Sequence, residues 1–373
     1  MRQRDETRGA ATEARSSVEA EQEPLLALGA TLALGAVLAL LSTTLVSVGI
    51  GRLAEEFSAP LSTVQWVSTA YLLALAVSIP AAGWAMDRFG EKRLWQVSLV
   101  VYLVGCGAAA LARTVDVLIA ARVVQGVGAA MFEPIMLTML ARAAGPRRVT
   151  RVMSLVQIPI TMAPVFGPVV GGVLLNALDW QWLFWLNVPV GVLCALLAQR
   201  LLPQDPPRAS RSAARLDVTG LALLPAGLAA LMLGLSQAAG TGTGDGGGAP
   251  ARDLLVPVSL LAGTLLFVGY VVHALRTRKA PLIDLRLFGA GPALSAGFTS
   301  VAPQSAGRAS SVLIAAIQLG GSVGTALLAV VLQRQLAHTP TAAVAYAATF
   351  WWTLALCALG AVTALFLPRS ERS

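Results

Sequence analysis

The chain has 373 residues, of which 56% are hydrophobic and only 12% charged. A soluble globular domain is about half apolar and about a quarter charged, so this composition cannot coat a water-soluble surface. It excludes a soluble enzyme, a disordered chain and a disulfide scaffold, and leaves a polytopic membrane protein. At roughly 20 apolar residues per span, the length accommodates about ten spans and their loops.

The formal net charge is +8. In a soluble protein that would suggest a nucleic-acid partner. Here the basic residues fall in short loops between apolar runs, so no nucleic acid is expected. Cys106, Cys194 and Cys357 all lie inside apolar runs. Their spacing fits no metal site, and they read as small apolar residues. No cofactor or metal is expected.

Residues 1–24 form a charged tail, expected to be disordered and cytoplasmic. The apolar run that follows is too long for a signal-peptide core and reads as an uncleaved first span. Ten runs qualify as spans: 25–50, 61–84, 94–112, 116–139, 152–176, 181–200, 218–238, 254–275, 310–332 and 345–367. Alternating strand patterns are absent, so the fold class is all-α and polytopic.

Loop charges set the orientation. With the N-terminus inside, cytoplasmic segments hold 22 of the 27 Lys and Arg residues. External segments hold four, Arg52, Arg113, Arg252 and Arg334, and Arg122 lies within a span. Trp66, Trp84, Trp95, Trp180 and Trp182 fall near span ends, as an aromatic belt would. Residues 201–217, rich in Pro and Arg, read as a cytoplasmic linker. Residues 239–251 contain a formal G-x-G-x-x-G from Gly242 to Gly247. No strand precedes it and no Lys follows, so it reads as a flexible external loop.

Three segments carry chemical information. The loop between spans 2 and 3 reads Gly83-Trp84-Ala85-Met86-Asp87-Arg88-Phe89-Gly90-Glu91-Lys92-Arg93. Gly83 permits close helix approach and Gly90 a tight turn. Asp87 is a carboxylate in a basic loop: either a solvated turn residue or a latch facing a helix N-terminus. Span 4 carries Arg122-Val123-Val124-Gln125-Gly126, then Glu133-Pro134. An arginine inside hydrocarbon should face protein or water and have a partner, which leaves a structural ion pair or a functional charge. Arg122 and Glu133 are 11 residues apart. In an unbroken helix that places them on one face, about 20° off and roughly 16 Å apart. Glu133 could equally snorkel towards the cytoplasm. Span 5 carries Pro164, Gly167-Pro168 and Gly171-Gly172. A glycine face beside proline bends suits either a rocking helix or ordinary tight packing.

These segments, in this order and at these spans, resemble the major facilitator superfamily. More narrowly, the chain resembles its 14-span drug:proton antiporter branch, the EmrB/QacA-like exporters. Supporting segments are Trp66–Tyr71, Trp182–Pro189, Pro281–Phe288 and Gln318–Gly324. Two departures stand out. The resemblance calls for an Asp and an Asn in the first span, where this chain has Ser42 and Ser47. It also calls for fourteen spans. Four spans of the second bundle, between Phe288 and about residue 310, are missing; an even number leaves the later loops on their expected sides.

The resemblance implies a six-span bundle over 25–200, the linker 201–217 and an inserted two-span pair over 218–275. A cytoplasmic connector over 276–309 and the remnant of a second bundle over 310–368 would follow. It implies a bacterial plasma-membrane transporter with both termini cytoplasmic, exporting drugs or amphipathic molecules in exchange for protons. Its surroundings would be lipid, and its partners a small-molecule substrate and protons. Glu133 would carry the proton, Arg122 would tune it, and Gln125, Ser42, Ser47 and Gln318 would line the path. Gly167, Pro168, Gly171 and Gly172 would form the hinge. Asp87, Arg88 and Arg93, with Gly83 and Gly90, would form the latch, Asp87 meeting the start of span 9 near Ser310 and Ser311. The alternative is an internally deleted, transport-inactive remnant or a partner subunit of an intact exporter. An enzyme finds no support, because His273 and His338 fall on opposite sides of the membrane.

Overall fold

The computed structural model describes residues 2–205, 217–238 and 250–276, with positions 324, 331, 335, 350–355 and 358. Over residues 2–23 it describes the backbone alone. The expected spans 9 and 10, Gln318, Ser310 and Ser311 therefore lie outside the described residues, apart from the isolated positions.

The described residues form ten helices in chain order. They are α1 (Arg2–Glu56), α2 (Leu61–Ser78), α3 (Ala81–Phe89), α4 (Glu91–Ala110), α5 (Val115–Ala129), α6 (Phe132–Ala177), α7 (Trp182–Trp185), α8 (Asn187–Leu201), α9 (Val218–Ala238) and α10 (Pro250–Arg276). Seven segments among the described residues are long and apolar enough to cross a membrane. They correspond to expected spans 1–6 and 8; α9, the expected span 7, contributes the shorter apolar stretch Ala222–Leu231.

Prolines interrupt the hydrogen-bond ladder inside two of the expected spans, and a glycine turns the chain between two others. Pro80 has no N–H and interrupts span 2 between α2 and α3. Pro134 leaves the Ala130 carbonyl without its helical donor, which interrupts the hydrogen-bond ladder between α5 and α6, while Ala130 and Met131 keep helical φ/ψ and span 4 runs on from Val115 to Gly145. Gly145, at φ 67° and ψ 171°, reverses the chain inside α6 and separates spans 4 and 5. The tail also departs from expectation: residues 2–23 continue α1 as helix. Arg, Glu, Gln and Ala are strong helix formers, and extending a helix already nucleated in the apolar run avoids the cost of a new nucleus.

Helix α1 packs against α6, α5 lies between α2 and α4, and α8 packs on α1 and α4. The α9–α10 pair forms a hairpin that touches the bundle through α2. Asp217 accepts from the Gly220 amide at 3.0 Å, which caps α9, and pairs with His273 Nε2 of α10 at 2.9 Å.

Small residues set the spacing around α5. A Cβ on Gly126 would lie 2.6 Å from the Tyr71 carbonyl on α2. One on Gly128 would lie 2.6 Å from the Tyr102 amide nitrogen on α4, and one on Gly105 2.6 Å from the Gln125 nitrogen. Backbones this close are what small residues achieve in membranes, where lipid removes the hydrophobic drive for helix association.

The buried apolar residues of the bundle divide into two clusters. One holds Leu25–Ala39 of α1, Tyr71 of α2, Leu94–Cys106 of α4 and Ala129–Leu140 around α6. The other holds Leu45–Leu53 of α1, Val64 and Val67 of α2, Ala109 and Ala110 of α4, Leu118 and Ala121 of α5 and Trp180–Phe184. Ser42, Arg122 and Gln125 fall between them along the chain, so a polar layer separates two apolar ones.

Candidate functional site

The polar layer is assembled by α1, α2, α4 and α5, with α8 at its edge. Arg122 of α5 is fully buried. Its Nε donates to the Val67 carbonyl at 3.0 Å. Its Nη1 donates to Ser42 Oγ at 2.8 Å and to Gln125 Oε1 at 2.6 Å. The Gln125 amide turns its other end to the same hydroxyl, Nε2 donating to Ser42 Oγ at 2.9 Å and to Cys106 Sγ at 3.0 Å. Arg122 Cζ lies 4.0 Å from the centroid of the Tyr71 ring, in cation–π range. The Tyr71 hydroxyl donates to the Ala39 carbonyl at 3.0 Å and so fixes the ring. Tyr102 donates to the Leu38 carbonyl at 2.9 Å and to Asn187 Oδ1 at 3.1 Å, tying α1, α4 and α8 together.

Among the described residues every acceptor around Arg122 is neutral. No carboxylate among the described residues pairs with it. Its Nη2, buried as well, has no hydrogen-bond partner there. Three of the five guanidinium N–H groups are placed and two are free.

The other expected residues separate into groups. Ser42 and Gln125 join Arg122, as described. Ser47 is exposed and donates to the Thr44 carbonyl at 2.7 Å, within its own helix and outside the layer. Arg122 is buried inside the bundle, and Glu133 is exposed near the start of α6. In span 5, a Cβ on Gly167 would overlap Thr44, and one on Gly171 would meet Leu45 at 3.4 Å, so both glycines face α1. Gly172 has open space, and Pro164 and Pro168 are exposed.

The loop between spans 2 and 3 is strapped to the end of span 6. Asp205 accepts from the Lys92 amide at 2.9 Å and the Arg93 amide at 3.1 Å, capping α4. The Lys92 ammonium donates to the Gln199 and Leu202 carbonyls, both at 2.8 Å, capping α8 in return. Negative charge at a helix N-terminus and positive charge at a C-terminus are both favourable. Gly90 makes room: a Cβ would overlap the Asp205 carboxylate, and its φ of 88° suits only glycine. Glu91 pairs with Arg142 at 2.6 Å across to α6. Asp87 is half-buried, and Arg88 and Arg93 are exposed. Gly83 is buried in α3.

Sequence reasoning missed Tyr71, Asn187, Cys106 and Asp205. Cys106, expected to be a small apolar residue only, accepts from Gln125. Tyr71 and Asn187 stood inside segments already singled out, but nothing in them pointed to Arg122 or Tyr102. Asp205 had one visible signal, a carboxylate between prolines in a linker that is basic on balance.

Residues 32–299 match the family model described as Major Facilitator Superfamily. A "Multidrug resistance protein B homolog" of Mycobacterium tuberculosis is 40% identical over 255 residues, covering 68% of this chain and 45% of that protein. A "Putative multidrug resistance protein MdtD" of Escherichia coli O139:H28 is 30% identical over 248 residues, covering 66% of this chain and 50% of that one. The chain thus spans about half the length of these curated relatives. Among solved structures, the human organic anion transporter MFSD10 aligns with a TM-score of 0.51 at 16% identity, covering 83% of this chain and 94% of that chain; it supports the fold alone.

Proposed function

Because the chain belongs to the Major Facilitator Superfamily, we propose that it is a secondary transporter exporting amphipathic small molecules in exchange for protons. The observation that carries this reading is the polar layer: a fully buried arginine held by Ser42, Gln125 and Tyr71 between two apolar clusters. Intramembrane charge is expensive and marks substrate or ion pathways rather than scaffold. The relatives named as multidrug resistance proteins support the substrate class. The family is one of transporters, not of enzymes. The protein is multi-pass; its setting is the bacterial plasma membrane, with both termini cytoplasmic.

Glu133 is the proposed proton carrier. Among the described residues it is the carboxylate deepest within a spanning segment, and Ser42 stands where the first-span acid would be. Gly167, Pro168, Gly171 and Gly172 are the proposed hinge of span 5 against α1. Asp87, Arg88 and Arg93, with Gly83 and Gly90, are the proposed cytoplasmic latch, and Gln318 with Ser47 would complete the pathway. One observation favours a second reading. The chain spans only 45% of the mycobacterial relative, which suits a transport-inactive remnant or a partner subunit.

Efflux of a cationic probe, ethidium, and of an anionic one, 2-naphthoate, from cells stripped of their own exporters separates the two. Export reading: energised cells expressing this chain lose at least one of the probes faster, an uncoupler abolishes the difference, and Glu133→Gln removes it. Efflux of both probes equal to vector controls, with the protein folded in the membrane, would establish the second reading.

A further inference from the structure

We propose that the free Nη2 of Arg122 is an anion site, and that it selects substrates carrying an acidic group over cationic ones. This rests on the transport reading for access, because the layer is closed in this structure.

The argument starts from charge. Arginine stays protonated inside proteins. Arg122 is fully buried, yet its placed partners are a hydroxyl, an amide oxygen, a backbone carbonyl and an aromatic face, all neutral. Buried charges are ordinarily paired. Among the described residues nothing offsets the positive charge of Arg122, which sits in a low-dielectric setting. A cation brought near it is repelled, and an anion attracted, far more strongly than either would be in water.

The geometry says where the anion would go. Nε and Nη1 are committed to α2, α1 and Gln125, which fixes the guanidinium plane. Nη2 keeps both its N–H groups, and no atom among the described residues accepts from them. A carboxylate oxygen or a halide is the kind of acceptor this pair of donors calls for, and charge-assisted contacts to a guanidinium are the strong class of hydrogen bond. The anionic group has two sources: the acidic group of the transported molecule, or a free halide.

Ser42 supplies the decisive variant. Its Oγ already lies 2.8 Å from Nη1. Ser42→Asp places a carboxylate against Arg122 without removing the arginine, and should cancel the site's charge.

The test uses the purified full-length chain in micelles and in proteoliposomes, with 2-naphthoate, 2-naphthamide, tetraphenylphosphonium and chloride as probes at constant ionic strength. Naphthoate should raise the melting temperature and the other two organic probes should not. Its affinity should fall about tenfold or more in Ser42→Asp and in Arg122→Gln, as expected when a close charge pair is lost. In proteoliposomes the wild-type chain should move naphthoate in preference to tetraphenylphosphonium, and Ser42→Asp should reverse the order. A chloride effect that competes with naphthoate and is lost in Ser42→Asp assigns the site to a free halide and still supports it. No anion-dependent shift, as a buried water on Nη2 would give, overturns the proposal. So does naphthoate binding that survives Ser42→Asp. The melting readout is independent of transport, so a chain that binds naphthoate but moves nothing overturns the transport reading and leaves the anion site standing.

Discussion

Gly90 and Asp205 should behave as one unit. Gly90 lies at φ 88° and ψ 158°, a region essentially confined to glycine, where strain costs about 1–3 kcal/mol. An alanine Cβ there would also fall 2.5 Å from Asp205 Oδ1 and displace the carboxylate. Displacement forfeits the α4 cap, whose removal costs about 0.5–2 kcal/mol. Gly90→Ala is therefore expected to destabilise the loop by roughly 2–4 kcal/mol. Asp205→Ala should cost roughly 1–2 kcal/mol. Both changes remove the same cap, so the double variant should cost about 1 kcal/mol less than the sum. Amide hydrogen exchange at Lys92 and Arg93 reads this directly, because their N–H groups are the ones Asp205 holds. Strictly additive losses, or unchanged protection in Asp205→Ala, would refute the strap.

Gly128→Leu should separate α4 from α5, since the Tyr102 nitrogen and Ser98 carbonyl leave no space; the expected loss is about 1–3 kcal/mol, or aggregation, read by melting and size exclusion. Tyr71→Phe keeps the ring over Arg122 and loses one hydrogen bond to Ala39, about 0.5–1.5 kcal/mol, whereas Tyr71→Leu should cost more by losing the cation–π face as well. Single cysteines introduced across residues 208–215 should label only from the cytoplasm, and across 236–243 only from outside; reversed labelling would overturn the orientation.

How much of this was legible in the sequence depends on which forces act locally. Span positions were legible because hydropathy is a sum over about 20 residues and tolerates local detail. That Arg122 would face protein and find partners was legible because a charge inside an apolar run is conspicuous. Its neighbours were not, because Ser42, Val67 and Cys106 lie on three other helices and only packing brings them together. The helix over residues 2–23 was missed because composition alone does not register that a long helix is already nucleated next to it. The strap between Asp205 and α4 spans 113 residues of chain, and no local pattern announces it.

Proton-coupled export is the central claim, and one measurement bears on it most directly. The purified chain would be reconstituted in proteoliposomes containing a trapped pH-sensitive dye, and an outward or inward gradient of ethidium or 2-naphthoate imposed without any initial pH difference. The account predicts that movement of the substrate drives protons the opposite way, seen as a lumenal pH change that reverses with the direction of the gradient and is lost in Glu133→Gln. Substrate movement with no pH change, or a pH change that persists in Glu133→Gln, would contradict it.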